Sequence, residues 1–255
     1  MNQHKKNWQL KNMAKNSLTG NYSEAILLTM IYGLFSIAQT ASTTLLMSMG
    51  SDLQDTILNV ILMKMVPDGY LLSLGVALLF QILIGFLGVG VSLFYLNIVC
   101  KAPYSLRDLF IAFKENPLKY FALTLIQVLV QFFFALPGYA CNYFYLLSPS
   151  DHWITLAYIC QLAGQIVAFP ITLALSQCYR LLLDFPTLTV WQVLCRSNRL
   201  MKGNKLRLFG LMFSFLPLEI AAILTCGIGY LWLNPYINAT YTHFYLDLVD
   251  AENQN

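Results

Sequence analysis

The sequence is poor in charged residues. Of its 255 residues, 12 are acidic and 15 are Lys or Arg, and this 11% share is less than half of the roughly 25% typical of soluble domains. Hydrophobic residues account for 58%, and the mean hydropathy is +0.60. This composition excludes a disordered chain, a coiled coil, a secreted disulfide scaffold and a soluble nucleic-acid-binding protein. It predicts an integral membrane protein.

The sequence also lacks the motifs of common catalytic and metal sites. It contains no H-E-x-x-H or C-x-x-C pattern, no nucleophile elbow and no glycine-rich phosphate loop. The cysteines are scattered and are interpreted as small apolar residues of the spans. They are Cys100, Cys141, Cys160, Cys178, Cys195 and Cys226. We therefore expect no enzymatic activity, no metal, no cofactor and no nucleic-acid partner.

Long stretches without charge indicate the membrane spans, since a helix needs about 20 residues to cross about 30 Å of hydrocarbon. Such stretches cover residues 25–51, 69–100, 120–150 and 153–179. The stretch 208–246 contains only Glu219 and His243 as ionisable interruptions, and it is long enough for two spans joined by the glycine-containing turn 225–229. We predict six spans. The alternative is four or five spans with a re-entrant or interfacial piece.

The distribution of basic residues predicts the orientation. With six alternating spans, 14 of the 15 Lys and Arg residues fall on the side of the two termini, and Lys64 alone falls opposite. Because positive charge is enriched in cytoplasmic loops, both termini are expected in the cytoplasm. The 14 are Lys5, Lys6, Lys11, Lys15, Lys101, Arg107, Lys114, Lys119, Arg180, Arg196, Arg199, Lys202, Lys205 and Arg207.

One unit recurs three times along the predicted single membrane domain, residues 1–255. The possible repeats cover residues 7–100, 104–184 and 188–250, and each is an amphipathic helix at the inner interface followed by a helical hairpin. The fold class is therefore an all-α integral membrane protein, a six-helix bundle of three hairpins. The alternative is that amphipathic helices and caps coincide wherever a chain leaves a membrane.

The amphipathic helices have recognisable apolar stripes and ends. The stripes are Leu10, Met13, Ala14 and Leu18; Leu106, Leu109, Phe110 and Phe113; and Val190, Val193, Leu194 and Met201. Thr189 with Gln192, and Ser105 with Asp108, predict capping boxes at two helix starts. Asn21, Asn116 and Asn204 are expected to cap the span that follows each helix, after Gly20 and Gly203 end two of the helices. In the outgoing spans Gly90, Ala174 and Ala239 occupy similar positions.

Several stretches resemble a known protein family. They include Gly20-Asn21-Tyr22, residues 200–205 with Arg207-Leu208, Gly227-Ile228-Gly229 with Trp232, and Pro235-Tyr236. Together they are similar to bacterial multi-pass membrane proteins grouped as domain of unknown function nine-seven-five. The resemblance is specific in the last 60 residues, and it is one of hydropathy between about 40 and 185. It implies a bacterial inner membrane and supplies no catalytic residue, cofactor or substrate.

Five polar side chains within the predicted spans are candidates for function. Glu219 is a carboxyl inside a span, which indicates a proton or cation site or the partner of a buried base. Its alternative is a protonated side chain bonded to a neighbouring helix. Gln127 with Gln131, and Gln161 with Gln165, are each four residues apart and share a helix face. We interpret the glutamines as interhelical hydrogen-bonding groups, with the lining of a passage as the alternative.

The remaining candidates are a basic inner face and an ion pair that would join two helices. The basic face consists of Arg196, Arg199, Lys202, Lys205 and Arg207, and it suits anionic lipid headgroups. His243 and Asp247 are too few ligands for a zinc site. Asp247 is instead expected to pair with Arg196 or Arg199, which would pin the last helix to the third amphipathic helix.

These features favour a non-enzymatic membrane protein that acts through contact with lipids or with another membrane protein, in an accessory, regulatory or self-protection role. The alternative is a transporter or pore for a small solute or ion that uses Glu219.

Overall fold

The computed structural model of the chain describes residues 4–53, 68–148 and 150–254, and within these ranges the secondary structure is helical. The helices in chain order are α1 (Asn7–Leu18), α2 (Tyr22–Leu53), α3 (Asp68–Val99), a 3₁₀ helix (Leu106–Phe110), α4 (Ile111–Lys114), α5 (Pro117–Leu147), α6 (Asp151–Leu175), α7 (Cys178–Asp184), α8 (Val190–Met201), α9 (Lys205–Phe213), α10 (Leu216–Leu224) and α11 (Tyr230–Asn253). Lys64, the one basic residue predicted on the side opposite the termini, lies outside the described residues.

Five helical segments are long and apolar enough to cross a membrane. They are Tyr22–Ser42, Leu74–Val99, Pro117–Tyr145, Asp151–Asp184 and Lys205–Leu224. The protein is therefore consistent with a multi-pass membrane protein. Helix α11, the sixth span expected from the sequence, is 24 residues long but is not among these five. Asp247 is the one charged residue in its first 18 positions, but Asn234, Asn238, Thr240, Thr242 and His243 make this helix less apolar than the five. A sixth span stays a prediction.

The described residues pack into two compact units. The first comprises Met1–Gly33, Phe86–Leu123 and Thr172–Asn255, and the second comprises Leu34–Gly85 and Thr124–Ile171. The short helices α1, 3₁₀–α4 and α8 all belong to the first unit. Every contact described below lies within one of the two units.

The turns after α1 and α8 have the same geometry. Gly20 and Gly203 adopt φ values of 88° and 83°, the left-handed conformation that ends a helix. The side-chain amides of Asn21 and Asn204 then donate to the carbonyl four residues earlier, at 3.3 and 3.0 Å. Asn204 occupies the N-cap position of α9 as expected, but its side chain makes no bond to the first turn of that helix. Both amides instead close the helix that precedes them.

The capping boxes expected at Thr189 and Ser105 are confirmed. Thr189 and Gln192 exchange hydrogen bonds at 3.4 and 2.9 Å before α8. Ser105 and Asp108 do the same at the start of the 3₁₀ helix, where Ser105 Oγ also accepts from Arg107 N at 3.0 Å. These local side-chain bonds satisfy free N–H groups of the first turn.

The second short helix differs from its predicted stripe. Because its first part is a 3₁₀ helix with three residues per turn, Leu109 and Ala112 lie on the buried face. Phe110 and Phe113 are 44% and 48% exposed, so the predicted stripe is divided between the buried and the exposed side of this helix. In the first helix Leu10, Ala14 and Leu18 are buried. In the third, Val193 and Met201 are buried, and Ser197 and Leu200 complete the face.

Two short helices pack closely on an outgoing span at a small residue. A side chain at Gly90 of α3 would collide with the backbone of Leu109, so only glycine permits this approach. Ser197 of α8 donates a hydrogen bond of 2.7 Å to the carbonyl of Ala174 in α6. Leu109 and Ser197 each lie seven residues before the asparagine of their turn.

The first short helix has a buried residue at the same distance from the asparagine of its turn. Seven residues before Asn21 is Ala14, which is fully buried, and Ala239 of α11 is fully buried as well. Helices α1 and α11 pack extensively against each other. The three positions aligned from the sequence, Gly90, Ala174 and Ala239, are thus all occupied by small, buried residues.

In the second unit, helices α5 and α6 approach closely at two glycines. A side chain at Gly164 would collide with the carbonyl of Phe134, and a Cβ at Gly138 would lie 3.2 Å from the Cβ of Gln161. Small residues at such positions allow membrane helices to pack backbone to backbone. Gln81 Nε2 of α3 also donates to Gln131 Oε1 of α5 at 2.8 Å.

Candidate functional site

Three junctions in the first unit connect the start of a span to the segment before a short helix. At the first junction Asn21 Oδ1 accepts a 2.7 Å hydrogen bond from the Tyr104 hydroxyl. At the second, Lys119 Nζ donates to the carbonyls of Pro186 and Leu188 at 2.7 and 3.1 Å. These bonds attach the 3₁₀ helix and α8 to the ends of α2 and α5.

The third junction connects α9 to the N-terminal segment and carries most of the charge. Arg207 Nη2 donates to the carbonyl of Lys5 at 2.8 Å. Arg207 lies three residues after Asn204, as Lys119 lies three residues after Asn116, so the second and third junctions use the same position of the incoming span. The 3₁₀ helix, α8 and α1 are thus fixed to the starts of α2, α5 and α9 respectively.

Asp247 of α11 is the centre of the third junction. Its Oδ2 accepts from Arg207 Nη2 at 2.6 Å and lies 3.2 Å from His4 Nδ1, while its Oδ1 accepts from Lys5 N at 3.2 Å. The side chain of Asp247 is only 7% exposed and that of Arg207 is 17% exposed. The guanidinium of Arg207 also lies 4.8 Å from the ring centroid of Phe244. This carboxylate therefore pins the N-terminal segment, α9 and α11 together.

The partners expected for Asp247 were wrong. Asp247 pairs with Arg207 and His4, whereas Arg196 pairs with Glu252, five residues further along α11, at 2.7 and 2.9 Å. The guanidinium of Arg196 also stacks 4.1 Å from the ring centroid of Phe185. Helix α8 is thus attached to the last helix as the sequence suggested, but through a different carboxylate. The position of α11 along its axis relative to α8 decides whether Arg196 meets Asp247 or Glu252, and this position depends on the tertiary packing.

His243 is part of the contact between α1 and α11. Its Nε2 lies 2.9 Å from Ser17 Oγ, and the imidazole is buried. His243 and Asp247 therefore both face the N-terminal segment, at neighbouring turns of one helix face.

A break in the fifth span provides another attachment for α1. Helix α9 ends at Phe213 and α10 begins at Leu216, because Pro217 has no N–H to donate to the preceding turn. The carbonyl of Ser214 accepts a 2.8 Å hydrogen bond from Lys11 Nζ, which also lies 4.0 Å from the ring centroid of Phe215. A cation is favourable at this negative end of a helix dipole. Burial, and then the nearby Lys15, lower the pKa of Lys11.

Two members of the predicted basic face are not available to an external ligand, because Arg207 and Arg196 are used in internal ion pairs. Arg199 and Lys202 are exposed, and Lys205 is half-buried. The external basic face is therefore smaller than the sequence suggested.

The exposed cations line a pocket of about 270 Å³. We call it the basic pocket. Its polar lining consists of His4, Arg199, Lys202, Asn204 and Glu252, and its apolar lining consists of Leu200, Leu248 and Ala251. Glu252 is neutralised by Arg196, so Arg199 and Lys202 give the pocket a net positive charge. A positive rim beside an apolar wall suits an anionic group attached to an apolar body.

A second pocket, of about 220 Å³, lies between α2, α3 and α11. We call it the polar pocket. Six of its nine lining residues carry hydrogen-bonding side chains, namely Thr29, Tyr32, Ser92, Tyr95, Asn234 and Asn238. None of the nine is Asp, Glu, Lys, Arg or His. Sequence reasoning missed this group because its members are distributed over three helices and have no common spacing.

Glu219 and the glutamines lie apart from both pockets. Glu219 is half-buried on α10, between Leu218 and Ile220, which are exposed. A role for Glu219 in transport stays a prediction. Among the glutamines, Gln131 forms the interhelical hydrogen bond expected of this group, although its partner is Gln81. Gln165 is exposed, and Gln127 and Gln161 are half-buried.

The profile of one protein family, described as a protein of unknown function (DUF975), matches residues 1–252. The chain belongs to the DUF975 family. No curated protein and no solved structure matches it. The DUF975 match covers the N-terminal segment, α8 and α11 together, so all three junctions and the basic pocket lie within the family's extent.

Proposed function

We propose that this protein is a non-enzymatic, multi-pass protein of the bacterial inner membrane that binds anionic lipid headgroups in the basic pocket. The observation that supports this most directly is that two exposed cations, Arg199 in the last turn of α8 and Lys202 directly after it, line a pocket with an apolar wall. A phosphate group would contact the two cations, and the glycerol and acyl parts would contact Leu200 and Leu248.

The surroundings of the pocket support a position at the membrane surface. Trp191 on α8 is 74% exposed and Trp8 on α1 is 60% exposed. Tryptophan is enriched at membrane interfaces, where its ring contacts the acyl boundary and its N–H contacts the headgroups. The exposed Phe110 and Phe113 of the second short helix suit the same environment.

The proposed architecture is a six-helix bundle of three hairpins with both termini in the cytoplasm. The equivalent turns at Asn21 and Asn204, and the equivalent junctions at Lys119 and Arg207, support three related units. In this arrangement the three short helices lie at the inner interface, and the basic pocket faces the anionic cytoplasmic leaflet.

A lipid titration tests the proposal. The full chain in a zwitterionic detergent is titrated with short-chain phosphatidylglycerol and, separately, with short-chain phosphatidylcholine. We expect tighter binding of phosphatidylglycerol. The double variant Arg199→Gln, Lys202→Gln should weaken it roughly 30-fold, because each well-placed cation contributes about 1 kcal/mol. Both residues are exposed, so the variant should fold.

A matched control distinguishes lipid binding in the basic pocket from a general effect of positive charge. Arg107→Gln with Lys114→Gln also removes two exposed cations, on the second short helix. We expect this control to retain phosphatidylglycerol affinity within about threefold. An equal loss in both double variants would show that binding depends on net charge alone. Unchanged lipid affinity in the Arg199 and Lys202 variant, with loss of a co-purifying protein, would identify a protein ligand instead. Either result would overturn the proposal.

A further inference from the structure

We propose that the polar pocket is a binding site for a small, uncharged polyhydroxyl compound. The pocket lies between α2, α3 and α11, at a different place from the basic pocket, and the inference is independent of lipid binding.

The absence of charge in the lining determines what the pocket accepts. None of its nine lining residues is ionised at neutral pH, so an ionic ligand would be buried there without a counter-ion, at high cost. A hydrocarbon chain is also unsuitable. It would remove water from the accessible polar side chains of the lining and return no hydrogen bond. The occupant must therefore be neutral and polar.

The hydrogen-bond pattern determines which neutral groups fit. Thr29 Oγ1 donates to the carbonyl of Ala25, and Ser92 Oγ donates to the carbonyl of Gly88, both at 2.9 Å. Since each hydroxyl hydrogen is used within its own helix, the oxygens offer lone pairs to a ligand. On the third helix, Asn238 Nδ2 donates to the carbonyl of Asn234 at 2.9 Å and leaves Oδ1 as an acceptor.

These acceptors stand on three different helices, so the ligand must present several hydrogen-bond donors in different directions. A hydroxyl group donates and accepts at one atom, and it can therefore satisfy both these oxygens and the side-chain N–H groups of the asparagines. A polyol carries such groups on every carbon. The free volume of about 220 Å³ holds several waters and lies below that of drug-sized sites, which limits the ligand to about three to six carbon atoms.

The probe is radiolabelled xylitol, a neutral five-carbon polyol. Binding is measured by scintillation proximity with the full chain in phosphatidylcholine nanodiscs prepared without glycerol. We expect saturable binding that unlabelled glycerol displaces. Thr29→Val keeps the side-chain shape and Ser92→Ala removes one oxygen, and each should weaken binding about fivefold by deleting one hydrogen bond. The combined variant should weaken it about 25-fold.

Thr155→Ala is the matched control. Thr155 Oγ1 also donates to a carbonyl four residues earlier, that of Asp151 at 2.8 Å, but Thr155 does not line the polar pocket. Its xylitol affinity should equal that of the wild type. The melting temperature of each variant, measured in the same nanodiscs, identifies any loss that comes from unfolding, and Thr29→Val remains decisive if Ser92→Ala does not fold.

Three results would overturn the inference. The first is a wild-type chain without saturable xylitol binding, which would leave water as the occupant. The second is unchanged affinity in folded Thr29→Val and Ser92→Ala. The third is that betaine, a zwitterion of similar size, displaces xylitol better than glycerol does. The Arg199→Gln, Lys202→Gln variant should bind xylitol normally, so failure of lipid binding and failure of this inference are distinguishable.

Discussion

Replacing Arg207 with Met should destabilise the protein more than replacing any exposed basic residue. Arg207 donates at 2.6 Å to Asp247, whose side chain is 7% exposed. Without the guanidinium, the carboxylate keeps only His4 and the N–H of Lys5, each at 3.2 Å. Removal of one partner of a buried ion pair leaves an uncompensated buried charge, at a typical cost of about 3 kcal/mol.

The pair between Arg196 and Glu252 is the internal comparison. It has a similar bond length of 2.7 Å, but its side chains are 23% and 27% exposed. Because water screens exposed charges, Arg196→Met should cost about 1 kcal/mol or less. The free energy of unfolding is measured for the full chain by titration with sodium dodecyl sulfate in mixed micelles, at one ionic strength for all variants.

A double-mutant cycle completes the assay. If the cost of Arg207→Met comes from the stranded carboxylate, Asp247→Asn should recover part of it in the double variant, so the two single effects should not add. Additive effects would refute the argument, since they would mean that Asp247 is solvated when Arg207 is absent. Equal costs for Arg207→Met and Arg196→Met would refute it as well, because burial would then not decide the strength of the pair.

Two further changes test the packing of the short helices. Gly90→Ala should destabilise the chain by about 2 kcal/mol because the new methyl group collides with the backbone of the 3₁₀ helix. Gly88→Ala should be tolerated because the nearest atom to the new methyl group is 4.0 Å away. Thermal melting of both variants checks this. Lys11→Met should cost about 1.5 kcal/mol at pH 7. The pKa of Lys11 is lowered in the folded chain, so wild-type stability should rise with pH between that lowered pKa and 10.5. Unfolding titrations at several pH values should show no such rise in Lys11→Met.

The local features of the fold could be predicted because their determinants are adjacent in the sequence. The capping boxes at Ser105 and Thr189 need only a side chain and an N–H three residues apart. The glycines that end α1 and α8 are required by a positive φ. Charge-free stretches similarly predict apolar helices, because the cost of burying charge in lipid does not depend on tertiary contacts.

The faces and partners of these helices could not be predicted in the same way. An apolar stripe shows that one side of a helix avoids water, but not whether that side contacts protein or lipid. Leu109 and Phe110 belong to one stripe, yet Leu109 is buried and Phe110 is 44% exposed. The partner of Asp247 depends on residues 243 and 40 positions away. One sequence signal could have indicated that Lys119 and Arg207 play equivalent roles in their junctions: both lie three residues after the asparagine of their turn.

The third junction closes the longest chain segment of the three. The second junction joins residues 67 apart, whereas the third joins Arg207 to Lys5, 202 apart. Loop closure over the longer segment costs about 1 kcal/mol more. The third junction is also the one with a buried ion pair, and His4 and Lys11 reinforce it. The strongest electrostatic contacts of the first unit therefore hold the N-terminal segment, whose release would open the wall of the basic pocket at His4.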